Sequence, residues 1–314
     1  MPYWIPIIQT LKSPMTNGNK PMRYYLARLL LSFFALLPLP LNHALGHAIG
    51  WMFYVLPNRT RRNTYINLSL CLPELDERQR HRIAKASLIE MGKSATEMGP
   101  LWRWRPARIL GKVVGIENEH IFNDALARQK GTIIMTPHLG AWEITGLYIS
   151  ATQTVTSLYR PPRLQSIEEM IKTARERTGA TLVPTNTRGV KSLFAALSRH
   201  EIVGILPDQD PGEDGGIFVP FFGHEANTMK LIPRLAQKTG AAVILVSARR
   251  LARGKGYVIR YNAVGENIYS KDIAESATAM NRAIEQTVRE NPEQYQWGYK
   301  RFRTRADGKP SLYQ

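Results

Sequence analysis

From residue 113 onward, short β-rich runs alternate with helical patterns, and this alternation limits the fold more than any other feature of the chain. The β-rich runs fall at 132–136, 154–159, 181–184, 202–206 and 242–247. Apolar residues at helical spacing lie between and around them at 119–129, 141–150, 164–178, 188–199 and 228–239, and a final basic helix and tail occupy about 274–314. Such repetition predicts an α/β fold with a mainly parallel sheet flanked by helices. There is no internal repeat and no low-complexity tract. A chain of 314 residues fits one large domain with an accessory segment, and it is long enough to bury a core without covalent staples. Its single cysteine, Cys71, excludes an internal disulfide framework and a cysteine-rich zinc site.

The accessory segment is N-terminal. Positions 29–58 carry no Lys, Arg, Asp or Glu. The run is long enough to cross a bilayer, which takes roughly 20 apolar residues. However, Pro38 and Pro40 break it, and His43 and His47 dilute it. It reads as a membrane anchor, either kinked and spanning or lying in the interface; the alternative is a buried helical hairpin. A cleaved signal peptide is not expected, because the leader is long and no small-x-small site follows. Lys20, Arg23 and Arg28 precede the run and Arg59, Arg61 and Arg62 follow it, so charge gives no orientation. Residues 59–110 are helical and basic in pattern, with Trp102, Trp104 and Pro106 marking a boundary. The chain thus divides into an anchor (1–58), a basic helical segment (59–112) and an α/β domain (113–314).

Forty-two Lys and Arg against 25 Asp and Glu give a net charge of +17. Nucleic acid, an anionic membrane and an acidic or phosphorylated partner all satisfy such a charge. No stacking-aromatic motif on a sheet accompanies it, so nucleic acid is not expected as a partner.

Four constellations carry possible chemistry. His138 and Glu143 form an H-x4-E directly after the strand TIIMT, at a strand's carboxyl end, where ligands of parallel sheets bind. With His138 in the loop and Glu143 in the first helical turn, the carboxylate could orient the imidazole as a general base. Arg160 in YRPP is suited to clamp a phosphate or an oxyanion. Asp208 in LPDQDPG could orient Arg160 or a substrate, or simply form a turn. Phe218, Phe221 and Phe222 in VPFFG could line an acyl-chain groove, though such strips are more often core. There is no G-x-S-x-G, P-loop or G-x-G-x-x-G, so neither a serine nucleophile nor a nucleotide cofactor is expected. His43 and His47 have no evident third ligand, so no metal site is expected either.

Taken in order, HLGAWE, YRPP, LPDQDPG, VPFFG and QYQWGYKRFRTR resemble the late acyltransferases of Gram-negative lipid A biosynthesis, in the superfamily shared with glycerol-phosphate and lysophospholipid acyltransferases. The resemblance runs from about Leu26 to Arg305 and includes the N-terminal apolar run and the R-x-R-R-N-x-x-x-N-L stretch. It implies an enzyme of the bacterial inner membrane, with its catalytic domain facing the cytoplasm and needing no cofactor. Such an enzyme moves an acyl chain from acyl carrier protein to the hydroxyl of a 3-hydroxyacyl chain on an anionic, phosphorylated glycolipid, the lipid A precursor. By motif, His138 would be the base, Glu143 its partner, and Arg160 and Asp208 supporting residues; Glu rather than Asp at 143 favours the lipid A branch. Two rival readings are another lipid acceptor, such as a lysophospholipid or ornithine-type lipid, and a non-enzymatic basic membrane- or nucleic-acid-binding protein.

Overall fold

The computed structural model describes residues 21–162, 167–212, 214–306 and 311–313. The flanking Lys20 and the first residues of the 164–178 helical pattern lie outside them. Five helices come first: α1 (Met22–Leu36), α2 (Leu39–Val55), α3 (Arg59–Cys71), α4 (Glu77–Arg103) and α5 (Pro106–Leu110). The α/β part follows as β1 (Val113–Glu117), α6 (Glu119–Ala127), β2 (Thr132–Met135), α7 (Trp142–Ser150), β3 (Val155–Tyr159), α8 (Glu168–Glu176), β4 (Thr181–Pro184), α9 (Thr187–Ser198) and β5 (Ile202–Ile205). It ends with the hairpin β6 (Gly216–Phe221) and β7 (His224–Met229), then α10 (Leu231–Thr239), β8 (Ala242–Arg250), β9 (Tyr257–Ala263) and α11 (Ile273–Glu290).

Seven strands form one sheet in the order β1-β9-β8-β2-β5-β3-β4. The five from β8 to β4 are mutually parallel. Strand β9 runs antiparallel to β8, and β1 runs parallel to β9, so the sheet is mixed at one edge and otherwise the expected parallel one. Every β-rich run named from the sequence is a strand. The edge pair β1 and β9 and the β6–β7 hairpin were not anticipated.

Side-chain alternation splits the core in two. Ile134, Val155, Ile202 and Val246 point to one face, under α5, α6 and α7. Ile133, Met135, Val203 and Leu245 point to the other, under α3, α9, α10 and α11. Helix α4 contributes Ala84 to the second core and Leu101 to the first. It starts at a reciprocal capping box between Asp76 and Gln79.

The charge-free run lies in a helical hairpin, α1 and α2, bent at Pro38. At 15 and 17 residues, its arms are about 23 and 26 Å long, short of the ~30 Å hydrocarbon core. No helix among the described residues is long and apolar enough to cross a membrane. The run is not a buried hairpin either. Among the described residues, apart from Val114 and Leu312, every exposed large apolar side chain lies between Met22 and Leu56. The inner side of α2 lies tightly on α4: a Cβ on Gly92 would come within 2.2 Å of the Gly46 carbonyl oxygen.

Candidate active site

Strands β2 and β5 end in register, with Met135 opposite Ile205. Each continues through a proline to a polar residue three positions on, in TIIMTPH and IVGILPD. The register therefore delivers His138 and Asp208 side by side at the sheet's carboxyl edge. The His138 amide donates to Asp208 Oδ2 at 2.8 Å, and Nδ1 lies 2.8 Å from Asp208 Oδ1. With its proton on Nδ1 held by the carboxylate, the ring leaves the Nε2 lone pair free. The side-chain amide of Gln209 approaches that lone pair at 3.3 Å.

Asp208 is buried, and burial alone would raise its pKa. The charge of His138 and its two hydrogen bonds outweigh that and hold the carboxyl below its ordinary value. The ion is therefore kept charged where it can orient the imidazole. Burial first, and then the Asp208 charge, push the phenol of Tyr295 well above its ordinary range, so Tyr295 stays a neutral wall of the site.

The expected pairing of His138 with Glu143 is not formed. His138 is in the loop and Glu143 in the first turn of α7, as anticipated. However, the Glu143 carboxylate is turned to Arg175 of α8, which grips it through both Nε and Nη2. The Arg175 guanidinium lies 5.5 Å from the Trp142 ring centroid, and that ring lies 4.8 Å from the imidazole. Glu143 thus reaches His138 only through Arg175 and Trp142. Asp208, expected from sequence to orient Arg160 or a substrate or to form a turn, and by resemblance to support the site, is the carboxylate that meets His138.

The loop 137–141 is clamped by segments remote in sequence. The Gly140 amide donates to the Gln294 carbonyl at 2.9 Å, Ala141 to Ala248 at 2.8 Å, and Gln296 to the His138 carbonyl at 3.2 Å. Gly140 sits at φ +60, where a Cβ would meet the Ala248 oxygen at 2.2 Å, so only glycine fits. The motif QYQWGY thus braces the histidine loop, a role its sequence did not reveal.

A cavity of about 830 Å³ opens beside the pair, lined by His138, Glu143 and Arg160. Arg160 follows β3, the strand next to β5, so the ends of three adjacent strands supply His138, Asp208 and Arg160. Ile134, Leu147 and Val155 from one core and Leu158, Phe194 and Ile205 from the other also line the cavity, so it reaches to both faces of the sheet edge. A Cβ on Gly146, which lines it as well, would meet nothing within 4 Å. Lys230, Arg234 and Lys238 line it from α10 and the residue before it.

The aromatic strip Phe218, Phe221 and Phe222 does not line this cavity. Phe221 and Phe222 are buried in the core beneath the β6–β7 hairpin, against Phe302 and Trp297, and Phe218 lies on β6 of that hairpin. The correction follows from topology: VPFF ends the first strand of an antiparallel hairpin that packs on α11 and contributes no end to the parallel sheet. His43 sits inside the α2–α4 seam, where its Nε2 is 2.5 Å from Glu97 Oε1.

The profile of the family described as bacterial lipid A biosynthesis acyltransferase matches residues 15–304. Among curated proteins, the chain is 29% identical over 278 residues to the lipid A biosynthesis lauroyltransferase of Escherichia coli, covering 88% of this chain and 90% of that one. It is 30% identical over 281 residues to the palmitoleoyltransferase of the same organism, again covering 88% and 90%. A Haemophilus influenzae lipid A biosynthesis acyltransferase is 27% identical over 290 residues, covering 88% and 89%.

Proposed function

The chain belongs to the bacterial lipid A biosynthesis acyltransferases, and on that premise we propose that it moves a fatty acyl chain from a carrier-protein thioester to a hydroxyl of a 3-hydroxyacyl chain on the lipid A precursor. The observation that carries this reading is the His138–Asp208 pair. One ring nitrogen is fixed by a buried carboxylate, and the ring lines a largely apolar cavity.

The steps follow from acyl-transfer chemistry. His138 Nε2 takes the proton of the acceptor hydroxyl as its oxygen attacks the thioester carbonyl. The C–O bond forms, and the carbonyl electrons move onto oxygen. When the tetrahedral intermediate collapses, the C–S bond breaks and the imidazolium returns its proton to the thiolate. Asp208 stabilises the imidazolium throughout. Arg160 and the first-turn amides of α7 are the donors offered to the oxyanion. Glu143 acts one step back, by seating Arg175 against Trp142.

Two features support the choice of substrates. The apolar cavity lining suits an acyl chain, with Gly146 leaving it unobstructed. Lys230, Arg234 and Lys238 recur every fourth residue beside that cavity, a cationic row suited to an acidic donor protein or to the acceptor's phosphates. The exposed apolar side of α1 and α2 suits insertion into the interface of the inner membrane from the cytoplasmic side.

The test is acyl transfer by the purified full chain, from defined acyl carrier protein thioesters to lipid A precursor, read by mass spectrometry. A product heavier by one acyl group, formed by the wild type and lost in His138→Ala, is expected. No product from any donor, or an undiminished rate in folded His138→Ala, would overturn the reading.

A further inference from the structure

Behind the histidine loop lies a second, sealed group of charges that the chemistry above does not use. Arg250, the last residue of β8, sits at its centre. Its Nε and Nη2 grip the two oxygens of Glu97 at 2.8 and 2.5 Å. Its Nη1 reaches Glu90 at 2.7 Å, and Nη2 also reaches Ser94 at 3.0 Å. The hydroxyl of Tyr257 donates to Glu97 Oε1 at 3.0 Å, and His43 Nε2 lies 2.5 Å from that oxygen. Arg250, Glu97 and His43 are all buried.

The group draws on four elements, α2, α4, β8 and β9. Glu90, Ser94 and Glu97 lie on α4, and His43 on α2. The Arg250 backbone is held from both sides by Gln294, whose Oε1 accepts from the Arg250 amide and whose Nε2 donates to its carbonyl, both at 2.9 Å. One contact leads out of the group: Arg250 Nη2 donates to the Gly140 carbonyl at 3.2 Å. The Gly140 amide is bound to the carbonyl of the same Gln294. Gly140 is two residues from His138, in a loop its own φ allows little freedom to move.

We infer that Arg250 is a positioning residue for acyl transfer, setting the histidine loop through Gly140, and that Glu97 and His43 tie its setting to the seating of the apolar α1–α2 hairpin. An ion pair needed only for folding would not need a guanidinium arm on a catalytic-loop carbonyl. Nor would stability require the group to take one of its contacts from the hairpin that carries the exposed apolar side chains. Glycines at 46, 50 and 92 allow α2 to approach α4 closely enough for His43 to reach Glu97. A lysine in place of Arg250 keeps the charge but loses the fork that engages Glu97 and Gly140 together.

The inference rests on the reading of His138 as the base, so the test has one arm that measures activity and one that does not. In the first, Arg250→Lys is assayed on the full chain with acyl carrier protein thioester and lipid A precursor in mixed micelles. The expected result is a kcat at least tenfold lower, with both KM values within twofold and the thermal midpoint close to wild type. A kcat within twofold of wild type in the folded variant overturns the inference. So does a loss no greater than the loss of folded protein.

The second arm measures amide hydrogen exchange at Gly140 and Ala141 in His43→Gln, which retains a short polar side chain at the seam. Exchange at least tenfold faster at these two amides, with β5 unchanged, supports the link. Unchanged exchange, or uniform acceleration, overturns it. A wild-type protein that transfers no acyl chain would refute the proposed function, while the exchange arm would still decide on the coupling.

Discussion

Two histidine–carboxylate pairs stand among the described residues, and their surroundings separate them. His138 and Asp208 are 14% and 2% exposed; His43 and Glu97 are 3% and 0% exposed. In the first pair, the imidazole's far nitrogen belongs to a ring that lines the cavity. In the second, Arg250 and Tyr257 crowd the carboxylate, and the far ring nitrogen finds no hydrogen-bond partner among the described residues. The same two functional groups are therefore open to a cavity in one place and sealed in the interior in the other. The difference lies in what the free nitrogen meets.

The sharpest way to break this contrast is to remove each histidine. His138→Ala should lower kcat by about 10²–10⁴-fold, the usual contribution of a general base, with little change in thermal midpoint. Asp208→Asn should follow it closely, because the amide can no longer hold the protonated Nδ1 as a charged acceptor. His43→Ala should cost less activity than either and more stability than His138→Ala; steady-state assays and thermal melts on one preparation would show the reversal. Equal effects at both histidines would erase the distinction.

Removing the sealed carboxylate should weigh on stability instead. Glu97→Gln leaves Arg250 without its main counter-charge and should destabilise by about 3–5 kcal/mol, measured by urea unfolding. The pair also sets an acid limit. Burial works to raise Glu97, but the charges and hydrogen bonds of Arg250 and His43 bring it from 4.5 down to about 2. The unfolded chain therefore takes up the proton first as pH falls. The stability is complete above about pH 4.5 and is lost as pH falls toward 2. Glu97→Gln should flatten that decline, and urea midpoints taken between pH 5 and 2.5 would reveal it.

The smaller effects concern the cavity. Gly146→Leu adds a side chain where there is open space and also removes a helix-weakening glycine. The fold should hold while the preferred acyl chain shortens. Two methylenes are worth about 1.6 kcal/mol at ~0.8 each, so relative kcat/KM for donors two carbons apart should shift by roughly 15-fold; competition between donors in one reaction would measure it. Charge reversal at Arg234 should raise the donor KM only several-fold and should blunt its dependence on salt.

The central strands and their helices were legible in the sequence because aliphatic runs and 3.6-residue periodicity are local signals. The spacing YVIRYNA at β9 is equally local, an alternation of buried and open positions. The His138–Asp208 pair was half legible. His138 stood out, but nearness in sequence suggested Glu143, whereas Arg175, 32 positions further on, claims that carboxylate. The parallel endings TPH and LPD of β2 and β5 were readable in principle, since adjacent strands in register present equivalent positions together. What no local pattern carries is the contact of Arg250 with residues 110 and 153 positions away, or the bracing of the histidine loop by the 294–296 segment.

The in-register endings of β2 and β5 have a further consequence, for folding rather than catalysis. A slip of one residue between these strands would turn every side chain of one of them to the opposite face, carrying His138 out of reach of Asp208. The pair can assemble only after the middle of the sheet has chosen its alignment. Turnover per milligram therefore doubles as a proofreader's mark, because a molecule that pairs its central strands wrongly is silent even if it remains collapsed and helical.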